Sequence, residues 1–387
     1  MSKIEEMVKR LCPNGVERWL VGDIIEYHPG GSLTRHQVKK EGLYPVMNGG
    51  TDYSGFYDSF NYDENVLTIS HWGSSASHIH RHNNRFWANN ACWIFTPKKD
   101  SNCLLGYLYY ILKTKENIMA SKYCFGGATP NLNRQLFERM EIPLPPLSIQ
   151  REIVSVLDSF TMLIDKMKQE VELRKKQMEY YREKLLSFEG EECDWNTLKE
   201  LFVIKNGLNK EKKDFGIGTP IINYVDVYKN RGLHKDDIKG LVNSNESELS
   251  RFKCTKGDVF FTRTSETKEE VGFPSVLLDD IENCVFSGFL LKATPITDKL
   301  DAHYCKYCFF TNQFRQEVEK RATLTTRALT NSTSLYKISI PIPPLSTQHS
   351  IVSTLDAFEQ YISKLERLIT LREKQYAYYR EKLLTFE

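Results

Sequence analysis

The side chains of this sequence with the clearest chemical potential are hydrogen-bond donors set among glycine- and asparagine-rich turns. Between Pro13 and Glu141 these turns are Asn48-Gly49-Gly50-Thr51-Asp52-Tyr53, His71-Trp72-Gly73-Ser74-Ser75 and Gly126-Gly127-Ala128-Thr129-Pro130-Asn131. Arg81 and Arg85 flank a histidine-rich strand, and Lys122 and Arg134 flank the glycine segment. Such groups can donate to phosphates and to base edges. The candidate DNA contacts here are Asn48, Thr51, Tyr53, His71, Trp72, Ser74, Arg81, Arg85, Lys122, Thr129, Asn131 and Arg134. Taken alone, Gly-Asn segments are more often simple turns.

A second region, Cys193 to Ser339, has a different sequence and a comparable set. Arg263, Thr264, Ser265, Glu266 and Lys268 follow a strand-like run, and Arg321, Thr326, Arg327 and Asn331 precede a proline-rich stop. Asn and Gln suit adenine, Arg and Lys suit guanine, and Glu accepts from cytosine, so different side chains imply different bases.

Signals for reaction chemistry are mostly missing. There is no GxxxxGK[ST] loop, no GxGxxG after a strand, no HExxH and no GxSxG. An amino-methyltransferase motif of the Asn/Asp-Pro-Pro-Tyr/Phe kind is also absent, since the proline pairs are followed by Leu. His71, His78, His80 and His82 sit with Ser and Arg, which fits a polar strand and turn better than a metal site. Cys305 and Cys308 form a lone CxxC with no second pair at zinc-site spacing. Nine cysteines without regular spacing fit a reducing compartment. The net charge of +2 neither announces nor excludes a nucleic-acid partner. With no apolar run of eighteen and with Lys3, Glu5, Glu6, Lys9 and Arg10 near the N-terminus, a cytoplasmic chain without a membrane segment is expected.

The elements that must position these residues are written twice. Ile142 to Glu189 recurs at Ile340 to Glu387, offset by 198 residues without a gap, and 28 of 48 positions are identical. Ile153, Leu157, Phe160, Ile164, Met167, Val171, Met178, Tyr181, Leu185 and Phe188 form a heptad seam interrupted at Arg174. The second copy repeats it from Ile351 to Phe386, interrupted at Arg372. Ser148 and Ser346 are expected N-caps after the proline stops. A helix from Gln150 to Phe188 would be about 58 Å long at 1.5 Å per residue, which calls for a partner. The nearest partner is the other copy, packed antiparallel, with Arg174 and Arg372 setting register. The rod would then be a ruler between two readers. The off-seam string YYREKLL repeats Tyr180, Arg182, Glu183 and Lys184 as Tyr378, Arg380, Glu381 and Lys382, two equal outward surfaces for a partner bound twice.

The fold expected is α+β, a pseudo-twofold repeat of two mixed, mostly β domains separated by two long antiparallel coiled-coil helices. Strand runs such as Val66-Leu67-Thr68-Ile69 and Asp258-Val259-Phe260-Phe261 alternate with helices near Leu104 to Lys113 and His303 to Glu319. The division is 1–141, 142–190, 191–339 and 340–387.

The order of variable domain, Pro-x-Pro-Pro-Leu-x-x-Gln, long helix, then the same again, resembles the specificity subunits of type I restriction-modification systems. Pro143, Pro145, Pro146, Leu147 and Gln150 carry the resemblance, with Pro341, Pro343, Pro344, Leu345 and Gln348. Leu11-Cys12-Pro13-Asn14-Gly15-Val16-Glu17, the Gly126-to-Asn133 segment and Gly257 to Glu266 are similar to parts of the family's recognition domains. The second domain departs where Thr325 to Ser332 replaces the glycine segment. The resemblance implies a non-catalytic subunit whose two target recognition domains each read half of a split double-stranded DNA site, the helices fixing the spacer. It implies two methyltransferase subunits docked on the repeated helices, and as optional partners two restriction subunits. S-adenosylmethionine belongs to the former and ATP with Mg to the latter; this chain is expected to hold no cofactor. The rival expectation is a coiled-coil scaffold with two ligand-binding β domains.

Overall fold

The computed structural model describes residues 3–188 and 193–386. Met1, the repeat ends Glu189 and Glu387, and the expected division at 190 and 191 lie outside the described residues. The chain divides into two compact units, Met1–Gln169 with Arg367–Glu387, and Glu170–Glu366. Each unit joins one β-rich region to a stretch of both long helices.

Those helices run Leu147–Ser187 and Leu345–Thr385, 41 residues each. They start before Gln150 and Gln348 because proline tolerates a helix start, where its missing N–H has no partner to lose. The Pro146 carbonyl accepts from the N–H groups of Ile149 (2.9 Å) and Gln150 (3.2 Å), and Pro344 does the same for Thr347 and Gln348. Ser148 and Ser346 therefore lie inside the first turn and do not cap it. Each helix stops at a phenylalanine in the left-handed region, Phe188 at φ 47° and Phe386 at φ 48°.

Antiparallel pairing is visible in each unit. In the first, Phe160 stacks on Tyr379 with centroids 5.6 Å apart, and Lys168 meets Glu373 at 2.8 Å. In the second, Tyr181 stacks on Phe358 at 5.6 Å, and Lys175 meets Glu366 at 2.9 Å. Ile153, Leu157, Ile164, Val171 and Met178 are buried, as are Ile351, Leu355, Ile362, Ile369 and Leu383. Near the end of the first helix Leu186, not the expected Leu185, is the buried leucine. A 3.6-residue helix drifts out of a strict heptad, which shifts the inward face by a residue.

The first unit is built on an antiparallel four-stranded sheet in the order Ile25–His28, Cys92–Pro97, Val66–Ser70, Ile79–His82. Every residue of Val66–Ser70 is buried, as befits a strand covered on both faces. A smaller sheet pairs Phe56–Tyr57, Tyr44–Met47 and Trp87–Ala88. Leu67, Ile69 and Phe95 share one core with Tyr107, Leu108 and Ile111 of the helix Leu105–Ile118 and with Ile149, Ile153 and Leu157 of the long helix. Gly106 permits this approach: a Cβ there would stand 2.9 Å from Val154 Cγ1.

The second unit has a five-stranded sheet, Phe202–Asn206, Leu290–Pro295, Val259–Thr262, Pro274–Leu277, Gly232–Leu233. Immediately before the strand Val259–Thr262, Asp258 is wholly buried but saturated, accepting from Lys292 Nζ (3.0 Å), Thr294 Oγ1 (2.6 Å) and the Thr255 N–H (2.8 Å). The helix expected near His303 to Glu319 is two helices, Ala302–Cys308 and Asn312–Arg321, divided where Thr311 caps the second. Cys305 and Cys308 are buried on the first, and burial pushes the Cys308 thiol up to about 12. Among the described residues no helix is long and apolar enough to cross a membrane.

Candidate nucleic-acid interface

The Pro-x-Pro-Pro-Leu-x-x-Gln frame anchors both β regions in the same way. Arg18–Leu20 pairs antiparallel with Glu141–Pro143, and Asp194–Thr197 pairs with Ser339–Ile342. The Gln150 amide donates to Pro145 O (2.7 Å) and Asn102 O (2.9 Å) while its oxygen accepts from the Leu104 N–H (2.8 Å). Gln348 donates to Pro343 O (2.8 Å) and Lys299 O (2.7 Å) and accepts from the Asp301 N–H (2.9 Å).

Beyond this frame each unit forms a small three-segment platform. In the first, Phe125 pairs with Asn131, and Asn131 pairs with Trp72. The Gly73 N–H donates to Pro130 O (2.9 Å) and the Leu132 N–H to His71 O (2.9 Å), tying the histidine-tryptophan turn to the glycine hairpin. Trp72, Ser74, Thr129 and Asn131 thus come together, although 55 residues or more separate the two turns in the chain. In the second, Thr323 pairs with Leu329 and Leu329 with Thr264, while Ser265 pairs with Ala328. The Thr330 N–H donates to Arg263 O (3.0 Å), the counterpart of the Leu132-to-His71 bond. A row of Phe, Asn and Trp in one unit is a row of Thr, Leu and Thr in the other. The segment Thr325 to Ser332, different in sequence, occupies the same place as the glycine hairpin.

The loop holding Asn48, Thr51 and Tyr53 is fastened to the sheet from below. Gly50 O accepts from Ser70 Oγ (3.2 Å) and lies 3.2 Å from His80 Nε2. Tyr53 Oη is 3.0 Å from His82 Nδ1, and Thr68 Oγ1 is 2.8 Å from His82 Nε2. His82 stacks on Phe86 at 3.7 Å, and burial, then the charge of His80, brings its pKa down to about 3. It is a neutral structural group. Asn48 accepts from Asn89 (3.1 Å), and His71 lies flat on Trp93 with Nε2 3.2 Å from Asn90 O. Thr51 is exposed, its hydroxyl 3.4 Å from Asp52. The Lys122 side chain is exposed.

Several expected contacts have partners within the fold. Arg81 donates to Asp158 of the long helix at 2.9 Å, because strand alternation turns it to the face opposite His80 and His82. Arg134 is engaged by Glu138 (2.7 Å) and lies 3.9 Å over the Tyr27 ring; Arg85 binds Asp63 (2.9 Å) and covers Phe60. In the second unit Arg321 is tied to Glu317 within its own helix, and the Asn331 side chain accepts from the Ser334 N–H (2.9 Å) as a helix cap. Ser265 is buried and donates to Glu270 (2.9 Å). Glu266 and Arg327 face each other at 3.4 Å on the surface, beside exposed Thr326. Arg263 and Lys268 are half-buried. Sequence reasoning passed over Phe125, Phe289 and Leu324, which are 57%, 63% and 58% exposed. The signal available was an apolar residue placed next to a turn, where no core could cover it.

The repeated YYREKLL surfaces are less alike than their sequence. Tyr180 and Tyr378 are exposed, each set edge-on to the next tyrosine at 5.4 Å. Arg182, expected to face outward, is 7% exposed and donates to Glu183 (3.0 Å). Glu183 also accepts from the Asn312 N–H (3.0 Å) at the start of a helix, where a carboxylate is favoured. Lys184 lies 6.0 Å from the Tyr180 ring, Arg380 lies over Tyr376, Lys382 pairs with Glu5 (2.9 Å) and Glu381 is exposed. Arg174 donates to Glu170 (2.7 Å) and Gln177 (2.6 Å), and Arg372 to Gln375 (2.7 Å), bonds along their own helices, while the Arg174 guanidinium also lies 5.6 Å from the Tyr361 ring of the facing helix.

A family model described as the type I restriction modification DNA specificity domain matches residues 13–173 and again 192–373. The chain belongs to the type I restriction-modification specificity family. Its two matches coincide with the two copies of the frame. Among specificity subunits, one of a type I restriction enzyme of Escherichia coli is 30% identical over 323 residues, covering 77% of this chain and 75% of that protein. Another, from Methanocaldococcus jannaschii, is 24% identical over 93% of this chain and 90% of its own length. The crystal structure of a type I restriction-modification S subunit from M. genitalium has the same fold, with a TM-score of 0.61 at 16% identity over 96% of this chain and 97% of that one. A chain from a structural study of the assembly of a type I restriction-modification system gives 0.59 at 15% identity, again over 96% and 97%.

Proposed function

We propose that this chain is the non-catalytic DNA-specificity subunit of a type I restriction-modification complex. Residues 1–141 and 191–339 are its two target recognition domains, and the repeated segments 142–190 and 340–387 carry the two long helices. Each domain reads one half of a bipartite double-stranded DNA site, and the helices set the spacer. The observation that carries this reading is the platform repeated with unlike side chains: one backbone arrangement presents Phe125, Asn131 and Trp72 in the first unit and Thr323, Leu329 and Thr264 in the second. Base edges are discriminated by the side chain offered, so a fixed frame with changed side chains is what two readers of different half-sites require.

Asn48, Thr51, Tyr53, Trp72, Ser74, Lys122, Thr129 and Asn131 in the first domain, with Arg263, Thr264, Glu266, Lys268, Thr326 and Arg327 in the second, are the proposed DNA-facing residues. Phe125, Phe289 and Leu324 join them. Two methyltransferase subunits, which bring S-adenosylmethionine, dock on the repeated helices, with Tyr180 and Tyr378 the matched exposed residues there. Restriction subunits, bringing ATP and Mg, complete the cleaving complex, and the assembly works in the cytoplasm.

The test is single-molecule sequencing for N6-methyladenine in DNA from cells that express this chain with its methyltransferase partner, before and after replacing residues 13–141 with those of a relative. A split methylated motif in which one half changes on replacement is expected. A motif indifferent to the replacement, or none, would return the chain to a scaffold with two ligand-binding β domains.

A further inference from the structure

Twenty of the 48 repeat positions differ between the two copies, and only two of these exchange a cation for an anion. Lys168 of the first helix corresponds to Glu366 of the second, and Lys175 corresponds to Glu373. These same four residues meet across the helix pair. Lys168 binds Glu373 at 2.8 Å in one unit, and Lys175 binds Glu366 at 2.9 Å in the other. The two residues on each helix are seven apart, one heptad, so they lie on one flank of the seam. Lys175 also has Glu172 of its own helix at 3.8 Å.

The consequence follows from exchanging copies. In the antiparallel register of this structure, residue 168 faces 373, whose counterpart in the first copy is 175. A pair made of two first helices would set Lys168 against Lys175 twice. A pair of two second helices would set Glu366 against Glu373 twice. Only first with second gives attraction at both contacts. The buried seam makes no such distinction, because it is apolar in both copies. Charges flanking a coiled-coil seam are the usual determinants of partner choice.

We propose that Lys168, Lys175, Glu366 and Glu373 form a pairing code that joins each first helix to a second helix and rejects like-with-like association between copies of this chain. The four side chains are about half exposed. Their role is selection, and the seam supplies most of the adhesion.

The test uses full-length chains. Lys168→Glu with Lys175→Glu gives a chain with four glutamates at these contacts, and Glu366→Lys with Glu373→Lys gives one with four lysines. Each alone should lose about 2–5 °C in Tm at low ionic strength, most of it absent in about 1 M salt. Carrying all four changes in one chain should restore the wild-type Tm and the wild-type oligomeric state. Co-expressed with different tags, the four-glutamate and four-lysine chains should purify together at 1:1 by exchanging helices, a product that neither forms alone. The code is overturned if the double variants keep the wild-type Tm, if the fourfold reversal fails to restore it, or if Tm responds as expected but no mixed complex is enriched. The last result would leave two ordinary surface ion pairs.

Discussion

Tyr110 donates its hydroxyl proton to Asp158 at 2.6 Å, and Tyr307 donates to Asp356, the repeat equivalent, at 2.5 Å. Three residues earlier on each short helix, Tyr107 donates to Pro143 O (2.7 Å) and Tyr304 to Pro341 O (3.0 Å). A pair of tyrosines on one helix face therefore fastens the β region of each unit to its long helix and to the strand that precedes it. The aspartate's second partner differs: Arg81 from a strand in one unit, Lys306 from the tyrosine helix itself in the other. The duplicated frame is kept even where the residue completing it has changed.

Tyr110→Phe and Tyr307→Phe should each lower unfolding free energy by about 1–3 kcal/mol, since each removes a hydrogen bond to a charged acceptor. Urea titration of the full chain measures it. A loss below about 0.5 kcal/mol in both would mean that water replaces the hydroxyl without cost.

Gln150→Leu and Gln348→Leu should cost more, about 2–4 kcal/mol each, because both glutamines are fully buried and each satisfies three backbone groups that leucine leaves unpaired. Differential scanning calorimetry should show a lower Tm with unchanged helix content by circular dichroism. An unshifted Tm would refute the anchoring role.

Acid should weaken the first unit. Burial holds His82 near 3, well below an unfolded imidazole at about 6.5, so between those values the unfolded chain takes up a proton that the folded chain refuses. Stability from this group is complete above about pH 6.5 and is lost progressively as pH falls toward 3, by about 2 kcal/mol between pH 7 and 5. Burial lowers His78 and His80 in the same direction. His82→Met should be less stable at pH 7.5, leaving Thr68 and Tyr53 unpaired, yet show a flatter pH dependence in thermal melts. An equally steep dependence would place the acid-labile group elsewhere.

Asn131→Ala and Arg81→Gln should separate reading from folding. The first removes an exposed amide from the platform and should change the methylated motif in one half, or cut DNA affinity about 5- to 150-fold at constant salt, with Tm unchanged. The second removes the cation from Asp158 and should lower Tm while the motif stays the same. Methylated-motif sequencing together with melting curves decides the matter, and the opposite pattern would exchange the two assignments.

Much of this protein was legible in the chain. An exact 198-residue offset, paired proline stops and an apolar period of three and four are local facts, and they sufficed for two long helices, an antiparallel pair and two unlike β regions. The strands around Val66 and Val259 were likewise written in continuous apolar runs. What remained hidden was which way a polar side chain turns. Arg81, Arg134, Arg321 and Asn331 have the composition of a DNA contact, but strand alternation, a neighbouring carboxylate or an orphan helix N–H claims each of them. Long-range pairing alone set Trp72 beside Asn131 and Thr264 beside Leu329, building the platform that exposes Phe125 and Leu324. Sequence period determines which elements form because it acts over a few residues. Only packing between distant segments decides which donors are consumed inside the fold and which are left facing outward.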